Sequence, residues 1–595
     1  MAKVKGAKQL RAAVAAARPR PAARKETRPA PASTRGFSGA GRGQDVPVFV
    51  PEYVATSSQV CGLWPFSVGA AAPYVGVPVG PHDSTGAMVC SDPYTYFQLN
   101  LISTPTQFVM SLPGVGKSTY VRRNCVGYDA FGIINLIPAD IKPDYLVMMD
   151  QIGGIRLSVG PGRDKLNVLD PGDAPEAIAA ISEVAREAYQ EAEHVQGILS
   201  SGVIERYDDL VALIGRMQAC KTFTWGSDIS RVMLDGSDQE RSALLAAYAD
   251  NRGVFAEERS RDVRELAADV HMRKKELLGT LLSLQRGARL EDWEETLLDE
   301  AIVILEERFT DQVPIIQDVL DLVVEKNERI RRIVLDDGTD ASYRERTRKI
   351  QQALIGLVQG GRLGTVFNGQ STVRMRRDRH VAIDVSAISD GNQELQAAVL
   401  MTNWSMSFAA VNVSHAMADA GLEPDRIFHI VMDELHRALR TGGGMVDRLD
   451  LLQRVNRTEG LIVTYVTHTM KDLDSIPDEQ DRMKARGFIE RAGMVVLGGL
   501  PRKDMADLNA IVPLSSRERA RIIRWGAMGA IDSGGQGTSE PPGRGRFMVK
   551  VGETPGIPFR VRLTPTETGS DIHDTNQRWH AQSRHNERNP EGVSA

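Results

Sequence analysis

The stretch Phe108-Val-Met-Ser-Leu-Pro-Gly-Val-Gly-Lys-Ser-Thr119 constrains this 595-residue chain more than any other. The apolar run over Gln107–Leu112 reads as a strand. Pro113, Gly114, Val115 and Gly116 break it, and the spacing predicts a helix opening at Lys117, Ser118 and Thr119. Glycine reaches left-handed backbone angles at little cost, so Gly114 and Gly116 let successive N–H groups turn inward around an anion. The positive end of the following helix adds its dipole. In this pattern Lys117 reaches the outer phosphates of a nucleotide and the Ser118 hydroxyl ligates Mg²⁺. The first position of the pattern is ordinarily Gly and here is Ser111, a small residue expected to be tolerated where strand meets loop. The bland alternative is a glycine-rich turn ahead of a core helix, so partner motifs decide.

A phosphate loop of this kind implies an α/β domain. Gly132–Asp140 is a second apolar strand, giving a strand–loop–helix–strand unit and hence a parallel sheet. The helix between the two is expected to run to about Arg123. Residues 155–170 read as a hairpin turning at Gly160-Pro-Gly162. From Asp173 to about Val358 the period changes to helical, with Ile178, Ile181, Val184, Ala188 and Val195 on one face. Further helical segments include 237–251 and 254–278. This reads as an all-α insertion, its charged residues most simply solvated faces.

Strand patterns resume at His380–Ser386, Arg426–Glu434, Leu461–Thr469 and Gly493–Gly498, with a long helix from Asn392 to Ala420 capped by Gly421. Phe547–Val551 and Pro558–Leu563 form a closing β pair. The expected organisation is therefore a disordered basic arm (1–45), a β-rich lead-in (46–106), the first part of the nucleotide-binding α/β domain (107–172), the insertion (173–358), the second part (359–565) and a disordered tail (566–595). In the lead-in, Val75–Gly80 and Ala87–Cys90 alternate as strands, with turns at 81–83 and 91–93.

Hydrolysis of a phosphoanhydride needs charge neutralisation, a metal and an activated water. Asp433 and Glu434 follow the apolar run Ile430-Val-Met432. Two adjacent acids there are costly to bury without a cation nearby. Asp433 fits a carboxylate holding Mg²⁺ opposite Ser118, and Glu434 a general base for water. His468, at the end of a later strand, is a candidate sensor of the γ-phosphate or a satisfied surface histidine. Arg457, with Arg454 nearby, is a candidate arginine finger projecting into a neighbouring subunit or a surface arginine.

Other chemistries find no support. The four cysteines (Cys61, Cys90, Cys125 and Cys220) have no paired spacing for zinc or a disulfide frame. His429 and His436 have the wrong spacing for a zinc protease. Formal net charge is −5, giving no global field toward nucleic acid or membrane. The exception is the arm, where eleven Lys or Arg oppose Glu26 and Asp45. It reads as a solvated tail or as a contact for DNA, anionic lipid or an acidic partner. No apolar run reaches the roughly 18–20 residues that span a bilayer, so a cytoplasmic location is expected.

Taken together these residues resemble the large motor ATPases of type IV secretion and conjugative transfer, the TraC/TrbE-like group (the fourth VirB component), within the HerA–FtsK division of RecA-like P-loop ATPases. The resemblance covers roughly residues 75–565. It is carried by Ser91-Asp-Pro93, Ser111–Thr119, Asp140-Ile-Lys-Pro-Asp-Tyr145, Leu166-Asn-Val-Leu-Asp-Pro171, Phe367-Asn-Gly369, His380–Ser386, the pair Asp433-Glu434, and Arg457 before the last catalytic strand. It implies an α/β, RecA-like P-loop fold with a mostly parallel sheet, ATP and Mg²⁺ as cofactors, and a homo-oligomer, expected to be a hexamer. It also implies docking on inner-membrane channel proteins, with DNA or a nucleoprotein as candidate substrate. The alternative is a HerA/FtsK-like DNA translocase or a coupling protein acting directly on DNA. The chain departs from the family at Ser111, at His468, where Gln is usual, and in the roughly one hundred residues that precede the phosphate loop.

Overall fold

A computed structural model describes residues 74–201, 207–361, 363–439, 446, 461–476, 478–529, 541–570 and 572–573. The basic arm, Arg454 and Arg457 lie outside these residues, as does most of the C-terminal tail.

Eleven strands are described: β1 (Pro78–Pro81), β2 (Met88–Cys90), β3 (Thr106–Met110), β4 (Ile134–Asp140), β5 (Ile155–Ser158), β6 (Val381–Asp384), β7 (Phe428–Met432), β8 (Ile462–Thr467), β9 (Met494–Leu497), β10 (Arg546–Lys550) and β11 (Ile557–Arg560). Nine form one sheet in the order β11-β10-β9-β3-β8-β7-β4-β6-β5. From β5 to β9 every neighbouring pair is parallel; β10 and β11 close the edge antiparallel. This is the expected α/β fold with a mostly parallel sheet.

The strands are buried on both faces and their side chains alternate between two cores. Phe108, Met110, Ile430, Met432, Val463 and Tyr465 face one side; Val109, Val431, Ile462 and Val466 face the other. Covering the second face are helix α1 (Lys117–Ala130), the β1–β2 sheet and the short helix Pro93–Gln98. Covering the first are the insertion and a long helix that precedes β7.

Among the described residues the regular elements of the insertion are all helices, joined by short loops. Its two longest helices are α2 (Ala174–Ser201) and α3 (Asp238–Arg286). The long helix before β7 is α4 (Gln393–Asp419); Asn392 caps its start, accepting a bond from Leu395 N, and Gly421 follows its end at φ +73°.

Four local expectations change. Helix α1 continues past Arg123 to Ala130, burying Cys125 and Tyr128 in its last turns. The segments 237–251 and 254–278 are one 49-residue helix, opened by a Ser237–Glu240 capping box. At 1.5 Å per residue it is about 74 Å long. Gly253 does not interrupt it, because one helical glycine costs only about 1 kcal/mol. Residues 155–170 are no hairpin: β5 pairs parallel with β6, while Leu166 N donates to Val366 O at 3.0 Å. Both partners come from beyond the insertion, which local turn chemistry cannot reveal. Finally, Ser91-Asp-Pro93 starts a helix; Asp92 accepts from Thr95 N at 2.7 Å and from Val77 N at 2.8 Å.

Candidate active site

The carboxyl ends of β3, β4, β7 and β8 are neighbours in the sheet, and the residues leaving them converge. In an open parallel sheet this is where ligands bind. The turn after β3 has Gly114 at φ +80° and Gly116 at φ +107°, and Gly116 caps α1. Lys117 and Ser118 therefore begin the helix beneath the loop.

Ser111 fits through a compensation on the next strand. It is fully buried, and a methyl group built on Gly498, just past β9, would lie 2.5 Å from Ser111 Oγ and 2.7 Å from its Cβ. The glycine missing from the loop is thus present across the strand pair. The loop is also held from outside: Leu112 N donates to Gly499 O at 2.9 Å, and Gly545 N donates to Val115 O at 2.7 Å.

At the end of β7, Glu434 adopts φ +51°, a left-handed conformation that costs a non-glycine residue roughly 1–2 kcal/mol. Its N–H donates to Asp433 Oδ1 at 2.9 Å. Its carboxylate meets His468 just beyond β8, with His468 Nε2 3.1 Å from Glu434 Oε1. The other ring nitrogen, Nδ1, lies 3.1 Å from Lys117 Nζ. Lys117, His468 and Glu434 so form one continuous chain.

A lysine and a second histidine face the same carboxylate. Lys142 Nζ is 3.7 Å from Glu434 Oε1 and His436 Nδ1 is 3.6 Å from Oε2. Burial pushes the Glu434 carboxyl up, but the His468 hydrogen bond and the charges of Lys117, His468 and His436 hold it well below the usual carboxylate range. Burial lowers the pKa of His436.

Asp433 is fixed by Tyr145, whose hydroxyl donates to Oδ2 at 2.9 Å. Tyr145 is placed by Asp140, which accepts from Tyr145 N at 2.8 Å and Asp144 N at 2.9 Å. Burial raises Asp140 to about 7, with the charges of Asp144 and Asp433 adding to the shift against those two bonds. Burial likewise raises Asp144, with Asp433 adding to it and the Ser118 hydroxyl opposing it. Asp144 thus feels both Ser118 and Asp433, and the three residues offer hard oxygen donors. Among the described residues no cluster of three or more His, Cys, Asp or Glu could cage a metal by itself. That donor set fits Mg²⁺, which keeps several waters and relies on one or two protein oxygens plus phosphate.

Of the residues picked out from the sequence, the structure brings together Lys117, Ser118, Asp433, Glu434 and His468, with the Pro113–Gly116 turn and Thr119 around them. Arg457 has no described position. The sequence reading missed Tyr145, Lys142, His436 and Gly498 as parts of the site. Tyr145 and Lys142 stood in a quoted stretch without an assigned role, and His436 stood two residues past Glu434. Nothing local marks Gly498, whose meaning depends on β9 lying beside β3.

No protein-family model and no curated protein matches the sequence. Among solved structures, VirB4 of Thermoanaerobacter pseudethanolicus is similar over 83% of this chain and 99% of that chain, with TM-score 0.52 and 13% identity. The chain has the VirB4 fold. Two structures of the plasmid coupling protein TrwB align less closely. One is in complex with the ATP analogue ADPNP (12% identity, 86% of this chain and 93% of that one), the other with ADP and Mg²⁺ (11%, 86% and 92%). Both have TM-score 0.39, too low to bear on this site. The alignment with VirB4 spans nearly its entire chain, so the likeness extends beyond the sheet that any P-loop protein shares.

Proposed function

We propose that the protein is a Mg²⁺-dependent P-loop ATPase that works as a motor of type IV secretion or conjugative transfer. The observation that carries the catalytic part is the Lys117–His468–Glu434 chain at the mouth of the phosphate loop. The VirB4 fold supports the system in which the motor works. TrwB has been solved in complex with an ATP analogue and with ADP and Mg²⁺, and the same ligands are proposed for this chain on its own residues.

In this reading the Pro113–Thr119 turn wraps the phosphates and Lys117 neutralises the outer ones. Ser118 and Asp433 would hold Mg²⁺, which would supply Lewis-acid charge neutralisation on the phosphate oxygens. Glu434 takes the proton of the attacking water. In the geometry described, Glu434 is too stabilised as an anion to be a strong base. When Lys117 turns to phosphate, one positive charge leaves its surroundings and its basicity rises toward the working range. His468 contacts both partners of that exchange and so registers whether the γ-phosphate is present. Arg457 is the proposed finger in a neighbouring subunit of a ring, which the reading takes to be a hexamer.

The motor is placed at the inner face of the cell membrane through channel partners; no described helix is long and apolar enough to cross a membrane. Direct action on DNA is the second reading. Hydrolysis by wild type, Lys117→Ala and Glu434→Gln, each with and without DNA, tests both. Activity lost in the two variants and indifferent to DNA supports a motor acting on protein machinery. Strong stimulation by DNA favours the translocase, and nucleotide-independent behaviour of all three proteins refutes the ATPase.

A further inference from the structure

Resting on the ATPase reading, we propose that Lys142 is a second catalytic cation, delivered in cis to the transferred phosphate by the turn after β4. Lys142 Nζ is 3.7 Å from Glu434 Oε1, the same oxygen that His468 Nε2 approaches at 3.1 Å. Lys117 stands on the far side of His468, 3.1 Å from its Nδ1. Two ammonium groups thus flank one carboxylate–imidazole pair. Lys117 does so from the buried side, 6% exposed, and Lys142 from the open side, its side chain 62% exposed.

An ion pair this exposed adds little to stability, yet the turn that carries it is built with care. Asp140 closes it by accepting from the amides of Asp144 and Tyr145, and Tyr145 ties it to Asp433 at 2.9 Å. Pro143 stiffens it by fixing φ. The turn is therefore referenced to the acid pair through Tyr145, while Lys142 keeps a flexible stem at its tip. A lysine ammonium is a mobile point charge able to follow a phosphate.

In the step itself, the water oxygen bonds to the γ-phosphorus and the bond from that phosphorus to the β-bridging oxygen breaks. The water proton passes to Glu434 and ADP departs with the bonding pair. Lys142 exchanges no proton. It swings from Glu434 to the equatorial phosphate oxygens, where charge sits in the transition state.

The test compares wild type, Lys142→Met, Lys142→Arg and Lys117→Ala for steady-state hydrolysis and for binding of ADP and a non-hydrolysable ATP analogue. Loss of one preorganised charge donor typically costs 10²–10³ in turnover, and at least about tenfold is expected here for an exposed one. Lys142→Met should lose that turnover, bind ADP within about twofold of wild type and lose part of its preference for the ATP analogue. Lys142→Arg should restore most of the turnover. Wild-type turnover in Lys142→Met overturns the proposal, as does equal loss of ADP and analogue binding, which would make the turn a structural element. A wild type that binds nucleotide no better than Lys117→Ala overturns the ATPase reading and Lys142 with it.

Discussion

Exchanging the glycine between Ser111 and Gly498 gives the sharpest test of how this phosphate loop is built. In Gly498→Ala the new methyl group would lie 2.5 Å from Ser111 Oγ, 2.7 Å from Ser111 Cβ and 3.0 Å from Phe547 Cε1. Separations under 3 Å cannot be kept, and Ser111 is fully buried. Overpacking of this kind costs typically 1–3 kcal/mol. The strain falls on the first residue of the phosphate loop, so nucleotide affinity should fall with stability. Ser111→Gly removes both Ser111 contacts and leaves only the ring edge of Phe547, which can shift by a few tenths of an ångström. The double variant Ser111→Gly/Gly498→Ala should therefore recover most of the loss. A coupling of about 1–2 kcal/mol is expected, within the range seen for residues in contact. Urea unfolding and ATP-analogue titration of the four proteins measure it. If the two single effects simply add, the compensation argument is wrong.

Four further outcomes follow from the site and its surroundings. Glu434→Gln should keep nucleotide binding and lose about 10²–10⁴ in turnover, the usual contribution of a general base; single-turnover hydrolysis checks this. Tyr145→Phe removes the bond to Asp433 Oδ2 and should raise the Mg²⁺ concentration for half-maximal activity more than the ATP concentration. An equal rise in both would refute Tyr145 as the residue that positions Asp433. His468→Gln should retain partial activity, because an amide can still bridge a cation and a carboxylate, whereas His468→Ala should not; turnover of the two variants decides. His429 is wholly buried between Asn135 Oδ1 and Thr464 Oγ1, and burial drives its pKa down to about 3. The folded protein then binds fewer protons than the unfolded chain below pH 6.5. Stability is full above that pH and should decline by up to about 1.4 kcal/mol per pH unit between 6.5 and 3 from this group. His429→Gln should flatten that part of the urea-midpoint profile against pH.

Local sequence determined a good deal of this protein. The phosphate loop was legible because its chemistry needs glycine at two left-handed positions and a cation at the start of a helix, all within a few residues. The acid pair was legible because two carboxylates after a buried strand demand a reason. Helix α4 was bounded by its caps at Asn392 and Gly421. What the tertiary structure alone decided are matters of adjacency. β5 and β6 pair although the insertion separates them, so residues 155–170 could not be assigned from their turn. Helix α3 runs through Gly253 because the residues on either side belong to one helix, which the glycine is too weak to divide. Gly498 became meaningful only when β9 proved to lie beside β3. Lys142 and Tyr145 joined the site because β4 and β7 are neighbours. Sequence specifies short-range chemistry through backbone angles and spacing; which distant side chains share a pocket is fixed by the strand order, and that follows from how two hydrophobic cores are divided across one sheet.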